Sequence, residues 1–329
     1  RVVEVRRDGE RWIVTVEDVR HGGRRQISAR LVVNAAGPWV DQVITTAMGK
    51  NGAGNVRLVK GSHIVTKKLF DHDRCYFLQH SDGRPIFAIP YENDYTLIGT
   101  TDLDYDGDPS EVAISESETD YLLEAVNGYF KTPVTRADIV WTYAGVRPLY
   151  DDGASASKEA TRDYVLKEVG EPGAPRLINV FGGKLTTYRR LAERVVDMAT
   201  AALGDGRPAW TRTGKLPGGD FPPTGFDDLV ARLTTACPDL PPPLLRRLAR
   251  SYGTRATVLL DTAQQPADLG VHFGADLYAR EVDYLIAHEW AISAEDVLWR
   301  RSKLGLRVSA EDTNRLAAYM ATKAGATGE

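Results

Sequence analysis

Near Lys215 the sequence changes its period, and one layer of one kind of secondary structure cannot accommodate both sides. Upstream, short runs alternate apolar and polar residues: VRLVKGSHIVTK, RCYFLQH, PIFAIPY and YTLIGTT, then DIVWTYAGVRPL, RDYVLKE and RLINVFGG. A period of two places every second side chain on the same face, so these runs predict strands, mostly in an antiparallel sheet. Downstream of the Pro/Gly-rich KLPGGDFPPTG, the segments LYAREVDYLIAHEWAI and AEDVLWRRSKLGL repeat apolar residues at helical spacing. The chain is therefore expected to form an α/β domain over residues 1–214 and an all-α domain over 215–329, joined by a linker.

Local signals refine this layout. Asp8-Gly9, flanked by alternating apolar residues, predicts a β-hairpin whose turn accepts positive φ. In ISARLVVNAAGPWVDQVITTAM the pattern passes from strand to helix at Gly37-Pro38, where proline suits a first helical position. SESETDYLLEAVNGYF reads as an amphipathic helix capped by Ser115, with Glu118 completing a capping box.

Composition excludes several classes. The formal charge is −4, from 41 basic and 45 acidic residues, which argues against a nucleic-acid binder. Cys75 and Cys237 have neither disulfide-framework nor zinc spacing, which fits a reducing cytoplasm. His288-Glu289 lacks the second histidine of a zinc protease helix. ENDYTLIGTTDLDYDGD lacks the spacing of a calcium loop and reads as a turn between strands, so no metal is expected. No apolar run approaches the roughly 18 residues of a spanning helix, so any membrane association is expected to be peripheral. The opening RVVEVRRDGERWIVTVED begins directly in strand pattern, without methionine, and reads as a start inside a domain.

Three places in the sequence stand out for chemistry. In VFGGKLTTYRR, Gly182, Gly183 and Lys184 lie where a strand hands over to a helix, so free N–H groups and the positive end of the helix dipole face whatever binds there. A nucleotide-hydrolase phosphate loop is excluded, because Ile178 replaces its first glycine and Leu185 follows the lysine; a plain turn with a solvated lysine is the competing reading. Arg147, beside a stiffening proline in YAGVRPLYDD, is a fork for phosphate or carboxylate or else a partner of Asp151 or Asp152. His63, in KGSHIV, is a candidate general base or a structural strand histidine.

Taken in order, NAAGPWVDQV, RLVKGSHIV, YTLIGTTDLDYDGDP, DIVWTYAGVRPLYDD and VFGGKLTTYRRLAE resemble the FAD-dependent glycerol-3-phosphate dehydrogenase family, and the helical region resembles its carboxy-terminal domain. The resemblance implies the remnant of a Rossmann-like FAD-binding domain carrying an antiparallel substrate sheet, followed by an all-α domain. It implies FAD as cofactor, with Ala35, Ala36, Gly37 and Trp39 beside its adenosine and pyrophosphate side. Gly182, Gly183, Lys184, Leu185, Thr186 and Thr187 would lie against the flavin. His63 would take the substrate's C2 hydroxyl proton, with Arg147 and Lys184 pointing into the substrate cavity. The implied substrate is sn-glycerol 3-phosphate, oxidised to dihydroxyacetone phosphate; quinone is the implied acceptor, with peripheral contact at the cytoplasmic membrane and a possible homodimer.

The family's opening βαβ unit, with GxGxxG and an acid about 20 residues later, has no counterpart in this sequence. The chain is therefore expected to bind FAD weakly or not at all and to be inactive alone. Three other readings compete: a glycerol-3-phosphate oxidase relative using oxygen, an amine or hydroxy-acid oxidase of the same superfamily fold, and a non-catalytic module for dimerisation or membrane docking. The module reading draws on the basic clusters Arg246, Arg247, Arg250 and Arg300, Arg301, Lys303, which could face anionic lipid or simply be solvated.

Overall fold

The computed structural model describes residues 1–49, 54–151, 163–170 and 174–326. They divide into two units, Arg1–Arg212 and Thr213–Glu329. The first unit contains three sheets. Strands β1 (Val2–Asp8), β2 (Arg11–Glu17) and β3 (Arg24–Ala29) form an antiparallel meander, with the predicted hairpin turning at Gly9, where φ is +57°. The Trp12 indole N–H donates to the Arg176 carbonyl at 2.9 Å and docks this meander on the second sheet.

The second sheet joins β4 (Leu31–Asn34), β11 (Val165–Val169) and β12 (Arg176–Phe181). Here β12 runs parallel to β4, pairing Asn34 with Asn179. Both asparagines are buried, and Asn34 Nδ2 donates to Asn179 Oδ1 and to the Val40 carbonyl, each at 3.0 Å. Those two bonds lock the turn after β4 to the strand across from it. The helix expected after Gly37-Pro38 is a broken one: a 3-10 turn (Gly37–Trp39), a short α1 (Val40–Gln42) and a π turn (Val43–Ala47). The β12 end leads through another 3-10 turn, Leu185–Thr187, into α3 (Tyr188–Leu203).

The third sheet is the largest, ordered β10-β5-β8-β7-β6, with a short β9 also on β5. Its strands are β5 (Val56–Lys67), β6 (Tyr76–Gln79), β7 (Pro85–Tyr91), β8 (Tyr95–Gly99), β9 (Leu103–Asp104) and β10 (Ile139–Tyr150), all antiparallel to their neighbours. One face packs on α2 (Glu116–Asn127): Ile64, Ile86, Ala88 and Ile98 meet Leu122, Leu123 and Val126 in one buried cluster. Since burying each such side chain contributes about 1.5–3 kcal/mol, this face is strongly specified, and the register places His63 on the opposite one. The Ser115 capping box forms as the sequence predicts.

The second unit is helical: α4 (Phe226–Ala236), α5 (Pro242–Tyr252), α6 (Ala256–Leu260), α7 (Ala279–Glu289) and α8 (Ala310–Ala326) surround a leucine-rich core including Leu233, Leu245, Leu248, Leu285 and Leu316. The Pro/Gly stretch expected to be a linker is instead packed against this unit. Thr254 N–H donates to the Gly218 carbonyl at 3.1 Å, and Phe221 lies on the core. Only glycines let these two backbones approach so closely, because a Cβ on Gly253 would overlap the Gly218 carbonyl.

The basic clusters of this unit are matched by acceptors within it. Arg247 is nearly buried and binds Glu281 through Nη1 and Nη2 at 2.8 and 2.6 Å, and Asp276 through Nε at 2.8 Å. Arg246 pairs with Asp227 at 3.0 Å, Arg300 with Glu295 and Asp296 at 2.9 and 2.8 Å, and Arg301 Nη2 donates to the Glu289 carbonyl at 2.7 Å. Lys303 Nζ is bonded to the Trp299 carbonyl. Arg250 is also engaged. This pairing weakens the lipid-facing reading of these runs, because each charge already has a local partner.

Candidate active site

The free face of the third sheet brings two of the predicted residues together. On β5 and β10 the register pairs His63 with Tyr143, Gly61 with Gly145 and Val59 with Arg147, and His63 also pairs with Gly99 of β8. Residues directly opposite in antiparallel strands share a face, so His63, Tyr143, Arg147 and the three glycines all lie on the side away from α2.

The glycines are what allow the polar groups to lie there. A Cβ on Gly61 would sit 2.5 Å from Arg147 Nη2 and 2.8 Å from Cζ, and a Cβ on Gly99 would sit 2.7 Å from His63 Nε2. The guanidinium therefore rests over Gly61 and the imidazole over Gly99. His63 also stacks on Tyr143, with ring centroids 4.7 Å apart and planes at 8°. Burial, and then the Arg147 charge, lower the His63 pKa to about 4, so the ring is neutral at physiological pH. Its Nδ1 is buried with no hydrogen-bond partner among the described residues. A neutral imidazole held beside a fixed cation is a proton acceptor in search of a hydroxyl.

Among the described residues, Arg147 has partners far from it in the sequence. Its Nη2 donates to Thr100 Oγ1 at 3.2 Å and its Nη1 to Asp102 at 3.4 Å; Asp152 lies outside the described residues. The acid-rich stretch is thus more than a turn. It contains β8 and β9, Thr100 and Asp102 orient Arg147, and Asp104 holds Arg57 at 2.7 Å. Sequence separation concealed these partners, since Asp102 and Arg147 stand 45 positions apart.

The strand-to-helix junction is adjacent. A Cβ on Gly182 would lie 3.1 Å from the Asp163 carbonyl and 3.6 Å from that of Pro148, the residue after Arg147. Gly182 and Gly183 adopt φ of +67° and +110°, and Gly37 adopts +55° at the end of the parallel neighbour β4. Lys184 is half-exposed, with Nζ 3.0 Å from Asp163. Both the N–H and the hydroxyl of Thr187 donate to the Lys184 carbonyl at 3.0 Å, so these donors expected to face a ring are used within the turn. Leu185 is 89% exposed and Trp39 40%. The carboxyl ends of two parallel strands, each opening through a positive-φ glycine, form the crevice in which α/β sheets hold nucleotides. Glycine amides, a helix start and apolar Leu185 and Trp39 suit a group that is part phosphate and part aromatic ring. The residues present therefore fit FAD.

A cleft of about 740 Å³ in the helical unit, between Phe221, Phe226, Tyr252, Arg255, Tyr284 and His288, gathers none of these groups. Arg255 Nε donates there to the Tyr284 hydroxyl at 2.5 Å. The chemistry lies on the sheet.

A parallel strand pair of the nucleotide-holding kind beside an antiparallel sheet that carries a neutral histidine and an oriented arginine is the framework of flavoprotein oxidoreductases. The chain belongs to the FAD dependent oxidoreductase family, whose model matches residues 1–198, while residues 209–328 match the C-terminal domain of alpha-glycerophosphate oxidase. It is 47% identical over 320 residues to a glycerol-3-phosphate dehydrogenase of Pseudomonas aeruginosa, covering 97% of this chain and 62% of that protein. It is 43% identical over 302 residues to the D-erythritol 1-phosphate dehydrogenase of Brucella abortus, covering 92% of this chain and 60% of that one. The solved glycerol-3-phosphate dehydrogenase of Bacillus halodurans, complexed with FAD, superimposes with a TM-score of 0.75 at 29% identity, over 92% of this chain and 59% of that chain. The chain thus spans about 60% of the length of these relatives.

Proposed function

We propose that this chain carries the substrate side of an enzyme that oxidises sn-glycerol 3-phosphate to dihydroxyacetone phosphate. The observation that carries the reading is the placement of neutral His63 and oriented Arg147 on one open sheet face. The names of the two glycerol-3-phosphate dehydrogenase relatives support the choice of substrate. FAD, when bound, supplies the acceptor for the hydride from C2. His63 accepts the C2 hydroxyl proton at Nε2, because Nδ1 is buried. Proton and hydride together remove two electrons and leave the ketone. Arg147 presents its fork to the phosphate, and Lys184 adds a second cation once it exchanges Asp163 for the substrate. Ala35, Ala36, Gly37 and Trp39 hold the cofactor's pyrophosphate side, and Gly182 through Thr186 its ring side.

Quinone as the acceptor, and a peripheral place at the cytoplasmic membrane, belong to the same proposal. Among the described residues no helix is long and apolar enough to cross a membrane. Trp290 and Ile292, 84% and 57% exposed after α7, offer apolar contacts for a bilayer surface.

The test is anaerobic reduction of the FAD-loaded enzyme by sn-glycerol 3-phosphate, D-erythritol 1-phosphate and glycerol. Rapid bleaching by the three-carbon ester is the expected result. Faster bleaching by the erythritol ester moves the substrate to a four-carbon polyol phosphate, and bleaching by glycerol alone removes the phosphate from the reading. The Gly61→Ala variant is expected to keep its melting temperature, since the three atoms nearest the added methyl group all belong to the movable end of Arg147. Its KM for the phosphate ester should rise roughly 10–10²-fold, because a guanidinium misplaced by about 1 Å loses its geometry. An unchanged KM in steady-state assays would remove Arg147 from substrate binding.

A further inference from the structure

The capping-box glutamate of α2 does more than end a helix. Glu118 is 2% exposed, yet it is ionised and surrounded by donors. Its Oε1 accepts from Ser62 Oγ at 2.8 Å and Thr101 Oγ1 at 2.7 Å; its Oε2 accepts from Ser115 N–H and Oγ, both at 2.9 Å, and from Lys60 Nζ at 2.7 Å. Burial alone would raise its pKa, but Lys60, the Ser115 amide and the Thr101 and Ser62 hydroxyls together hold it at about 2. The Ser62 amide donates in turn to Thr101 Oγ1 at 2.9 Å.

Two of the residues that Glu118 touches, Ser62 and Thr101, have functional neighbours on either side. Ser62 lies between Gly61, beneath the Arg147 guanidinium, and His63. Thr101 lies between Thr100 and Asp102, the two residues that bind that guanidinium. On β5 the alternation of the strand aims Ser62 at α2 and its neighbours at the opposite face. Pulling on the underside at Ser62 and Thr101 therefore fixes the upper side at His63 and Arg147.

We infer that Glu118 is a positioning residue for the proposed reaction, acting through the sheet to hold His63 and Arg147 in register. It touches neither the substrate face nor those two side chains. The inference rests on the proposed function above for its kinetic readout and on His63 alone for its spectroscopic one.

The experiment compares wild type, Glu118→Gln, Glu118→Asp and Thr101→Val in the FAD-loaded enzyme. Thr101→Val keeps the side-chain shape and removes one bridge, so it serves if Glu118→Gln does not fold. Flavin reduction by sn-glycerol 3-phosphate is expected to slow at least tenfold in the Gln and Val variants, with FAD still bound. Glu118→Asp should recover part of the rate. In a His63→Asn background the same changes should cost less than in wild type, the difference being the part of the effect that passes through His63. Equal losses in both backgrounds would mark a merely structural role and overturn the inference. If sn-glycerol 3-phosphate reduces no flavin in wild type, the proposed substrate fails separately. Carbon-13 NMR of the His63 ring then decides: a changed titration in Thr101→Val supports positioning, and an identical one overturns it.

Discussion

Replacing His63 by asparagine is expected to slow flavin reduction by sn-glycerol 3-phosphate about 10²–10⁴-fold, the usual contribution of a positioned general base, while FAD remains bound. Asparagine keeps a polar planar group over Gly99 but accepts no proton at physiological pH, so stopped-flow bleaching isolates proton transfer from binding. The pH profile carries the same signature. Burial and Arg147 depress the histidine's pKa to about 4, so the folded protein binds fewer protons there than an unfolded chain near 6.5. The resulting stabilisation is fully present above about pH 6.5 and is lost as pH falls from there toward 4. In wild type, kcat/KM should accordingly stay level down to about pH 5 and fall through an apparent pKa near 4. An acid limb at about 6.5 would indicate a solvated imidazole and remove His63 from the role.

The largest loss of stability is expected in the helical unit, from Arg247→Ala. Its guanidinium, 13% exposed, faces a Glu281 carboxylate that is 3% exposed. Removing it leaves that carboxylate buried with the Tyr252 hydroxyl, 2.7 Å away, as its remaining donor in the cluster. Breaking such a pair from one side costs about 3–5 kcal/mol, because the surviving charge is neither solvated nor compensated. Thermal unfolding followed by circular dichroism should show a midpoint lower by roughly 10–20 °C. Arg246→Ala is the control: its partnership with Asp227 is 60% and 83% exposed, so solvent screening leaves less than about 1 kcal/mol to lose. Equal losses in the two variants would refute the assignment of stability to burial. Replacing Arg247 and Glu281 together by apolar residues of matching volume should recover much of the stability, since no charge is then left unpaired.

Features that depend on near neighbours were legible in the sequence. The Asp8-Gly9 hairpin, the Ser115 capping box, the strand Val56–Lys67 and the glycine turn after Phe181 each follow from a short pattern with a local cause. The antiparallel sheet and the helical second unit followed from the change in hydrophobic period. What the sequence did not reveal was pairing over distance. Asn34 meets Asn179 across 145 residues, Arg147 finds Thr100 and Asp102 more than 40 positions away, and Glu118 reaches Ser62 across 56 residues. The sequence shows Glu118 as a cap, a local role that gives no sign of its bonds to Ser62 and Thr101. The Pro/Gly stretch before Phe226 looks like a linker in the sequence for a related reason. Glycine signals close backbone approach as readily as flexibility, and only the partner, here the Tyr252-Gly253 backbone, distinguishes the two.

The glycine floor under His63 and Arg147 also bears on how this site would be mapped by mutagenesis. Truncation to alanine detects what a side chain does, and at Gly61 and Gly99 the contribution is the room that a missing side chain leaves. A conventional alanine scan passes over such positions because there is nothing to remove. Only a scan that adds atoms, one methyl at a time, reports them. On this face the sites most sensitive to addition lie directly beneath those most sensitive to deletion.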